Sequence, residues 1–223
     1  MKKIQITLSL AFILFASLLN AQKFEGKITF KTEFPELPAE MESMKAMMEM
    51  NMTTFVKGNL SRTETKGMMT PNVVNIMDLD KKVMTTLMDL EGNKTAIVTN
   101  IADQEKAMKD NGMSKPTFRE TGEVKKISGF VCNQVIATMT TPETGEMNIE
   151  IWYTKEIANN SPEYMELQGM PLETIIPIQP GMVMKMTATE VKSEKVDASM
   201  FEIPSDYKVT TQEEMRAGKT PGK

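Results

Sequence analysis

The residue types that could do chemistry in this chain are few, and methionine is the most abundant of them. The 223 residues contain 23 Met but a single Cys, Cys132, and no His. Without histidine, Ser-His-Asp and Cys-His catalysis cannot be built, and a typical zinc site loses its main ligands. The apolar neighbours of Cys132 favour a buried thiol. We therefore expect no enzyme and no cofactor, and only thioethers and carboxylates remain to be considered.

Thioethers concentrate between residues 40 and 52, where Met41, Met44 and Met48 follow a three-then-four spacing. That spacing predicts an amphipathic helix over Glu40–Met52, with Pro38 in its first turn. Three interpretations of the methionine stripe stay open. It packs on a sheet, it forms an adaptable lid over a hydrophobic ligand, or it binds Cu(I), a metal that soft ligands select. The residues for the copper alternative are Met47, Met48, Met50 and Met52.

The carboxylates offer weaker signals. Asp78 and Asp80, with Asp89 and Glu91, form two acidic pairs in turn-like segments. They lack the alternating ligands, the Gly and the distal Glu of a calcium loop. We interpret them as solvated turn charges. The chain also contains no Gly-rich phosphate-binding loop.

The elements that must position these residues are mostly short strands. Alternating apolar and polar residues, separated by turn signals at spacings of roughly 8–12 residues, are typical of an antiparallel meander. A second, short helix is predicted over 103–110. Four prolines between 161 and 180 favour a segment that wraps the sheet edge. The predicted strands are 23–34, 53–57, 60–65, 72–79, 83–90, 94–101, 129–139, 147–153 and 182–192.

The N-terminus carries the features of a secretory signal peptide. Lys2 and Lys3 precede an uncharged, largely apolar stretch that ends in a small residue. We predict a cleaved signal peptide at 1–21, without the cysteine that lipid attachment needs, and hence a periplasmic or secreted protein. A single β-rich domain is predicted for 22–210, followed by a polar, disordered tail at 211–223.

Charge and hydropathy limit the classes of partner that this protein is expected to bind. Loss of the signal peptide leaves 24 Lys and Arg against 30 Asp and Glu, a net charge of −6. This balance argues against nucleic acid, because phosphate neutralisation requires clustered cations. No later apolar run is long enough to span a bilayer.

Four short motifs occur in an order that resembles a known family. They are Phe24-Glu25-Gly26-Lys27-Ile28, the segment Lys125–Cys132, the segment Glu150–Thr154 and the segment Phe201–Tyr207. Together they resemble a domain-of-unknown-function family of secreted Bacteroidota proteins, similar in fold to the LolA/LolB-like lipoprotein carriers. The resemblance implies an open antiparallel half-barrel with helices over its concave face, where the carriers hold acyl chains. Carrier-type recognition often uses a cation near the cavity mouth, for which Lys57, Arg62 and Arg119 are candidates.

These observations predict a mainly β binding module for a hydrophobic or lipid-like ligand. Its cavity should be lined by Met41, Met44, Met48, Met182, Met184 and Met186. Trp152 lies off the apolar parity of its strand and is either a cavity residue or a ring laid over the sheet edge. The alternatives are an envelope protein–protein interaction module without a ligand, which predicts an exposed apolar patch near Trp152, or methionine-based Cu(I) binding.

Overall fold

The computed structural model describes residues 24–68, 72–142, 145–159, 164 and 166–216. The predicted signal peptide lies outside these residues. In the described part of the chain, one 12-stranded sheet has the order β12-β6-β5-β4-β3-β2-β1-β11-β10-β9-β8-β7. The strands are β1 (Glu25–Glu36), β2 (Met50–Lys57), β3 (Leu60–Gly67), β4 (Val73–Asp78), β5 (Val83–Leu90), β6 (Asn93–Asn100), β7 (Thr117–Ile127), β8 (Phe130–Thr141), β9 (Gly145–Thr154), β10 (Met170–Gln179), β11 (Met182–Ser193) and β12 (Lys208–Thr211).

Helices are short and few, as predicted for a mainly β protein. The longest described helix is α2, which links β6 to β7. Two 3-10 helices, η1 and η2, complete the set. In chain order they are η1 (Ala39–Met44), α1 (Lys45–Met48), α2 (Ile101–Asp110), η2 (Ala198–Phe201) and α3 (Gln212–Arg216).

The sheet consists of two antiparallel meanders joined by one strand. Strands β1 to β6 pair successively, and strands β7 to β11 do the same. Strand β11 then pairs with β1, so it lies between β1 and β10 in the sheet. Strand β12 pairs in parallel with β6 at one edge, and β7 forms the other. The sheet is therefore open rather than closed into a barrel.

The sheet curls around a cavity on one of its faces. Met84 of β5 and Thr174 of β10 line the same cavity of about 330 Å³, although five strands separate them in the sheet. In a flat sheet those two strands would lie roughly 29 Å apart, because neighbouring strands are about 4.8 Å apart. Only strong curvature brings both to one small space. We call this curled side the inner face and the opposite side the outer face.

The predicted helix over Glu40–Met52 is wrong in its last four residues, and its first part is a 3-10 helix. Helices η1 and α1 cover residues 39–48, and strand β2 already begins at Met50. From Met50 the chain pairs on both sides, with β1 and with β3. The β-branched Thr53 and Thr54 favour this extended conformation. No residue of η1 or α1 is buried, so the methionine stripe does not pack on the sheet.

The edge-wrapping segment predicted for 161–180 is also wrong, because β10 is an interior strand. Prolines are tolerated in a sheet at irregularities of the ladder. Pro171 borders a register shift against β9, and Pro177 borders another against β11. The two prolines therefore lie where the hydrogen-bond pattern is already interrupted.

Besides β10, two strands were not predicted. Strand β7 is an edge strand whose side chains are mostly exposed, so it lacks apolar alternation. Strand β12 is only four residues long. A disordered tail was predicted from residue 211, but regular structure continues through α3 to Arg216, and residues 217–223 lie outside the described part of the chain.

Candidate functional site

The candidate site is the cavity of about 330 Å³ on the inner face. Its lining comes from seven neighbouring strands and from the segment before β10. No Lys, Arg, Asp or Glu occurs among these described lining residues. They are Phe30, Met52, Thr54, Ser61, Thr63, Thr65, Asn75, Met77, Met84, Tyr164, Met170, Pro171, Thr174, Ile176 and Met186.

Methionine supplies most of the apolar wall. Five thioether side chains from five different segments contact the cavity: Met52, Met77, Met84, Met170 and Met186. Met side chains have three rotatable bonds and a polarizable sulfur, so such a wall can adapt to irregular apolar shapes. The expected methionine-lined cavity is therefore present, but most of its methionines are not the predicted ones.

A row of polar side chains crosses the inner face beside this wall. Thr54, Thr63, Asn75 and Thr86 are successive cross-strand partners on β2 to β5. The hydroxyls of Thr54 and Thr63 are 3.0 Å apart. Thr86 Oγ1 donates to Asn75 Oδ1 over 2.8 Å. Apart from Thr86, each of these residues lines the cavity, so hydroxyl and amide groups face an occupant along one side.

Thr174 contributes a hydroxyl whose hydrogen-bonding capacity is unused. The residue is 1 % exposed and lines the cavity. Its Oγ1 atom is buried and has no hydrogen-bond partner among the described residues. Buried hydroxyls are nearly always paired, because leaving one unpaired costs about 1–3 kcal/mol. Because Oγ1 itself is shielded from solvent, the Thr174 side chain must rotate before this hydroxyl can meet a polar group in the cavity.

A second cavity of about 230 Å³ lies beside the first. Helix α2 contributes Ile101 and Met108 to its lining, and β7 contributes Phe118. Tyr164 lines both cavities, and its ring meets Phe118 edge to face at 6.5 Å. This second cavity has a charged rim, since Lys115 Nζ lies 2.9 Å from Glu105 Oε2. Helix α2 therefore forms part of the wall of the second cavity.

The backbone around Tyr164 is held by a half-buried asparagine. Asn159 Nδ2 donates to the carbonyl oxygens of both Tyr164 and Leu167. Leu167 N also donates to Tyr164 O over 2.8 Å. Leu167 packs in the cluster that includes Val135 and Ile151 of the sheet. These contacts fix the described residues of the segment against the inner face.

The structure separates the predicted ligand-binding residues. Met186 lines the first cavity, whereas Met182 and Met184 line neither of the two cavities, although they belong to the same strand. Met41, Met44 and Met48 lie in η1 and α1 and also line neither. The residues of the copper alternative are divided likewise: Met47 is exposed and Met52 faces the cavity.

Trp152 lies on the outer face, away from both cavities. Its Nε1 atom donates to Glu150 Oε1 over 2.6 Å. Lys125 Nζ lies 3.9 Å from the centre of its ring, in a cation–π contact. The side chain is 8 % exposed. Trp152 belongs to the buried core cluster that includes Cys132, Ile157 and Leu172. Its ring is therefore covered and does not form an exposed apolar patch.

Beside Trp152, Glu173 is a nearly buried carboxylate between two lysines. Its Oε1 atom lies 2.7 Å from Lys125 Nζ and its Oε2 atom 3.3 Å from Lys185 Nζ. Thr187 Oγ1 donates to Oε2 over 3.1 Å. Burial acts to raise the pKa of Glu173, but the hydrogen bonds and charges of Lys125 and Lys185 outweigh it and lower that pKa below its usual value.

The three candidate cations at the cavity mouth have other roles. Lys57 Nζ binds Glu25 Oε1 at 3.1 Å and the carbonyl of Val196 at 2.6 Å. Arg62 donates to Glu64 and to the carbonyl of Met200, which ties the segment after β11 to the outer face. Arg119 is exposed on the edge strand β7. None of them lines either cavity.

Exposed apolar side chains gather instead at one end of the sheet. Met44 and Met47 lie between β1 and β2, and Met68 lies between β3 and β4. Leu90 ends β5, and Ile178 is near the end of β10. Because neighbouring strands are antiparallel, these strand ends meet at the same end of the sheet.

The described residues contain no cluster of three or more Cys, Asp or Glu side chains that could hold a metal ion. Nor do they include a helix long and apolar enough to cross a bilayer.

The fold and the cavity define a class: a mainly β protein with one open, curled sheet and, on its inner face, a cavity whose described lining residues carry no charge. Residues 24–174 match the family described as Domain of unknown function (DUF4412). This match spans more than half of the chain, so the protein belongs to that family. The matched region ends within β10 and leaves out β11, the strand that joins the two meanders. A search of curated proteins finds no match to this chain.

Proposed function

We propose that this protein is an exported, non-enzymatic binding module that holds a hydrophobic or lipid-like molecule in the first cavity. The observation that carries the proposal is the composition of the described lining: five methionines with Phe30, Pro171 and Ile176, and otherwise only uncharged hydroxyl and amide side chains. Among these residues there is no carboxylate, amine, thiol or imidazole. Binding is what such a surface supports best.

The size of the cavity fits this role. Its volume of about 330 Å³ falls at the lower end of the range that small-molecule sites occupy. Each methylene group removed from water on binding contributes about 0.8 kcal/mol. A chain of eight to ten methylenes therefore supplies enough favourable free energy to offset the cost of association. The methionine wall would tolerate several chain shapes.

Two further arguments support export and a carrier-like role. Residues 1–21 have the charge and hydropathy pattern of a secretory signal peptide. The open sheet with α2 at its inner face is also the architecture that the resemblance to LolA/LolB-like carriers implies. In those carriers the inner face holds acyl chains. An envelope location would place this protein where such molecules need transfer through water.

The first experiment is native mass spectrometry on the protein purified from a periplasmic extract without detergent, followed by solvent extraction. We expect a discrete additional mass that extracts as an apolar molecule. The same protein should enhance the fluorescence of the uncharged apolar probe N-phenyl-1-naphthylamine. A bare mass combined with no probe binding would contradict the proposal.

A pair of matched variants tests whether the cavity is the binding site. Met77 is 3 % exposed and lines the cavity, whereas Met68 is 76 % exposed and does not. Met77→Trp adds a large side chain to the cavity and should reduce probe affinity at least about tenfold, a loss of 1.4 kcal/mol. Met68→Trp makes the same chemical change at the surface and should leave affinity unchanged. Equal affinities would mean that the probe binds elsewhere.

A further inference from the structure

We infer that the cavity selects ligands whose buried polar group is uncharged, such as a fatty alcohol or the hydroxyl end of an acylglycerol, and that Thr174 binds this group. This inference rests on the proposed function and specifies its ligand class. It excludes fatty-acid carboxylates, phosphates and quaternary amines from the first cavity.

The described lining of the cavity carries no charge. Of the fifteen described residues that line it, none is Lys, Arg, Asp or Glu. The candidate cations Lys57 and Arg62 are held by Glu25 and Glu64. A charged group brought into such a site loses its hydration without gaining a counter-ion, which costs several kcal/mol. Desolvating an uncharged hydroxyl or carbonyl costs far less free energy, and one or two hydrogen bonds can offset that cost.

The hydroxyl of Thr174 is buried and unpaired among the described residues, and its residue lines the cavity. In the inferred complex the side chain rotates so that this shielded hydroxyl reaches the ligand. A threonine hydroxyl both donates and accepts, so it can pair with an alcohol or a carbonyl. The side chains that flank it in the sheet, Met186 on β11 and Ile151 on β9, offer no strong hydrogen-bonding group. A ligand group that reaches Thr174 would therefore meet one polar partner in apolar surroundings.

The polar row gives the complementary recognition on the other side of the cavity. Thr54, Thr63 and Asn75 line the cavity from β2 to β4. They already pair among themselves and with Thr86. Hydroxyl and amide groups in such pairs can accept or donate one more hydrogen bond, so they tolerate a polar ligand atom without demanding a charge. Thr174 differs because its hydroxyl gains its first partner.

The test uses three ligands with the same ten-carbon chain and different head groups. They are 1-decanol, decanoate and decyltrimethylammonium, each used to displace N-phenyl-1-naphthylamine from the full-length exported protein at pH 8. We expect decanol to compete at least about tenfold better than either ion, since desolvating an unpaired charge costs several kcal/mol. If either ion competes as well as decanol, the inference is wrong while the proposed function stands. If the probe itself does not bind, the proposed function fails first.

Two threonine variants isolate the role of Thr174. Thr174→Val replaces the hydroxyl by a methyl group of similar size. It should weaken decanol about threefold to tenfold, the value of one hydrogen bond, and leave the apolar probe unchanged. Thr29→Val is the matched control, because Thr29 Oγ1 is also buried and unpaired but its residue does not line the cavity. Equal decanol affinities in the two variants would overturn the role of Thr174.

Folding of these variants can be checked independently. Removing a buried hydroxyl without a partner should not lower the melting temperature, since no hydrogen bond is lost. Thr174→Ser keeps the hydroxyl and should retain decanol affinity better than Thr174→Val. A loss of decanol binding in the Ser variant as large as that in the Val variant would also contradict the assignment.

Discussion

Lys125 Nζ lies 2.7 Å from Glu173 Oε1, although their strands, β7 and β10, are separated in the sheet by β8 and β9. The lysine reaches Glu173 across the Trp152 ring, which belongs to β9. One side chain thus ties the edge strand of the sheet to an interior strand. Thr174, the next residue after Glu173 on β10, points to the opposite side of that strand and lines the first cavity.

Replacing Glu173 by Gln should destabilise the protein by about 1–3 kcal/mol at pH 7, because a buried charge-assisted hydrogen-bond network is lost. The lowered pKa of Glu173 sets the pH dependence. A carboxylate whose folded pKa lies below its unfolded value contributes stability above the unfolded pKa, about 4.3. That contribution is lost as the pH falls through the folded pKa. Denaturant unfolding at pH 7 and at several acidic values measures the difference between the two proteins.

The control for that prediction is Glu190→Gln. Glu190 is paired with Lys27 at 3.9 Å in an exposed position, so its removal should change stability little. The predicted pH dependence would be wrong if the difference in unfolding free energy between Glu173→Gln and the unmodified protein stayed constant into the acid range.

Cys132 should be inert in the folded protein. It is fully buried, and burial raises the pKa of its thiol to about 11. At pH 8 only about one thiol in a thousand is then ionised, and the thiolate is the reactive form. We expect no reaction with Ellman's reagent under native conditions and one reactive thiol per chain in guanidinium chloride. Rapid native labelling would mean that the strands around Cys132 open readily.

Methionine oxidation by hydrogen peroxide should follow exposure and then ligand occupancy. Met68, Met44 and Met47 are exposed and should form sulfoxides first. Met77 is buried in the cavity wall and should react last. Saturation with decanol should further protect the half-buried Met84, while the exposed methionines keep their rates. Peptide mass spectrometry measures the oxidation rate of each methionine. If decanol slows the oxidation of Met44 and Met47 only, the ligand binds near those residues and not in the cavity.

Gly26 should tolerate no side chain. A Cβ atom at this position would collide with the carbonyl oxygen of Lys192 on the paired strand β11. Gly26→Ala should therefore destabilise the protein by about 1–3 kcal/mol through overpacking. Lys31→Ala, at an exposed position of the same strand, serves as the control. Thermal unfolding monitored by circular dichroism compares the two, and equal melting temperatures would show that β1 and β11 can separate at little cost.

The strands of the first meander could be predicted because their apolar alternation and turn residues are local signals. The hairpins at Gly58 and at Gly92 lie where the sequence places tight turns, and both glycines have positive φ values. Strand β10 could not be predicted in the same way. Its prolines argue against an interior strand, and only the register shifts beside Pro171 and Pro177 make that place tolerable.

The cavity residues were harder to predict for a related reason. Methionine was expected to line a cavity, but Met41, Met44 and Met48 were placed there by a helical spacing whose helix ends at residue 48. The true lining depends on how far the sheet curls, which is a tertiary property. The recurrence of Thr and Ser at alternate positions of β3, from Ser61 to Thr65, was the available signal for a polar inner face. Nothing in the sequence marks the hydroxyl of Thr174 as unpaired.

The position of β11 also orders events during synthesis. A ribosome makes the β2–β5 wall of the cavity early and the β10 wall nearly a hundred residues later, and only β11 bridges them. Until residue 193 has emerged, β1 and β10 each present a strand edge without its neighbour, which is a template for aggregation. A nascent or truncated chain that stops before β11 therefore has two separate ribbons and no cavity. Strand β11, the last long strand to be synthesised, is the one that joins the two meanders into a single sheet with a cavity.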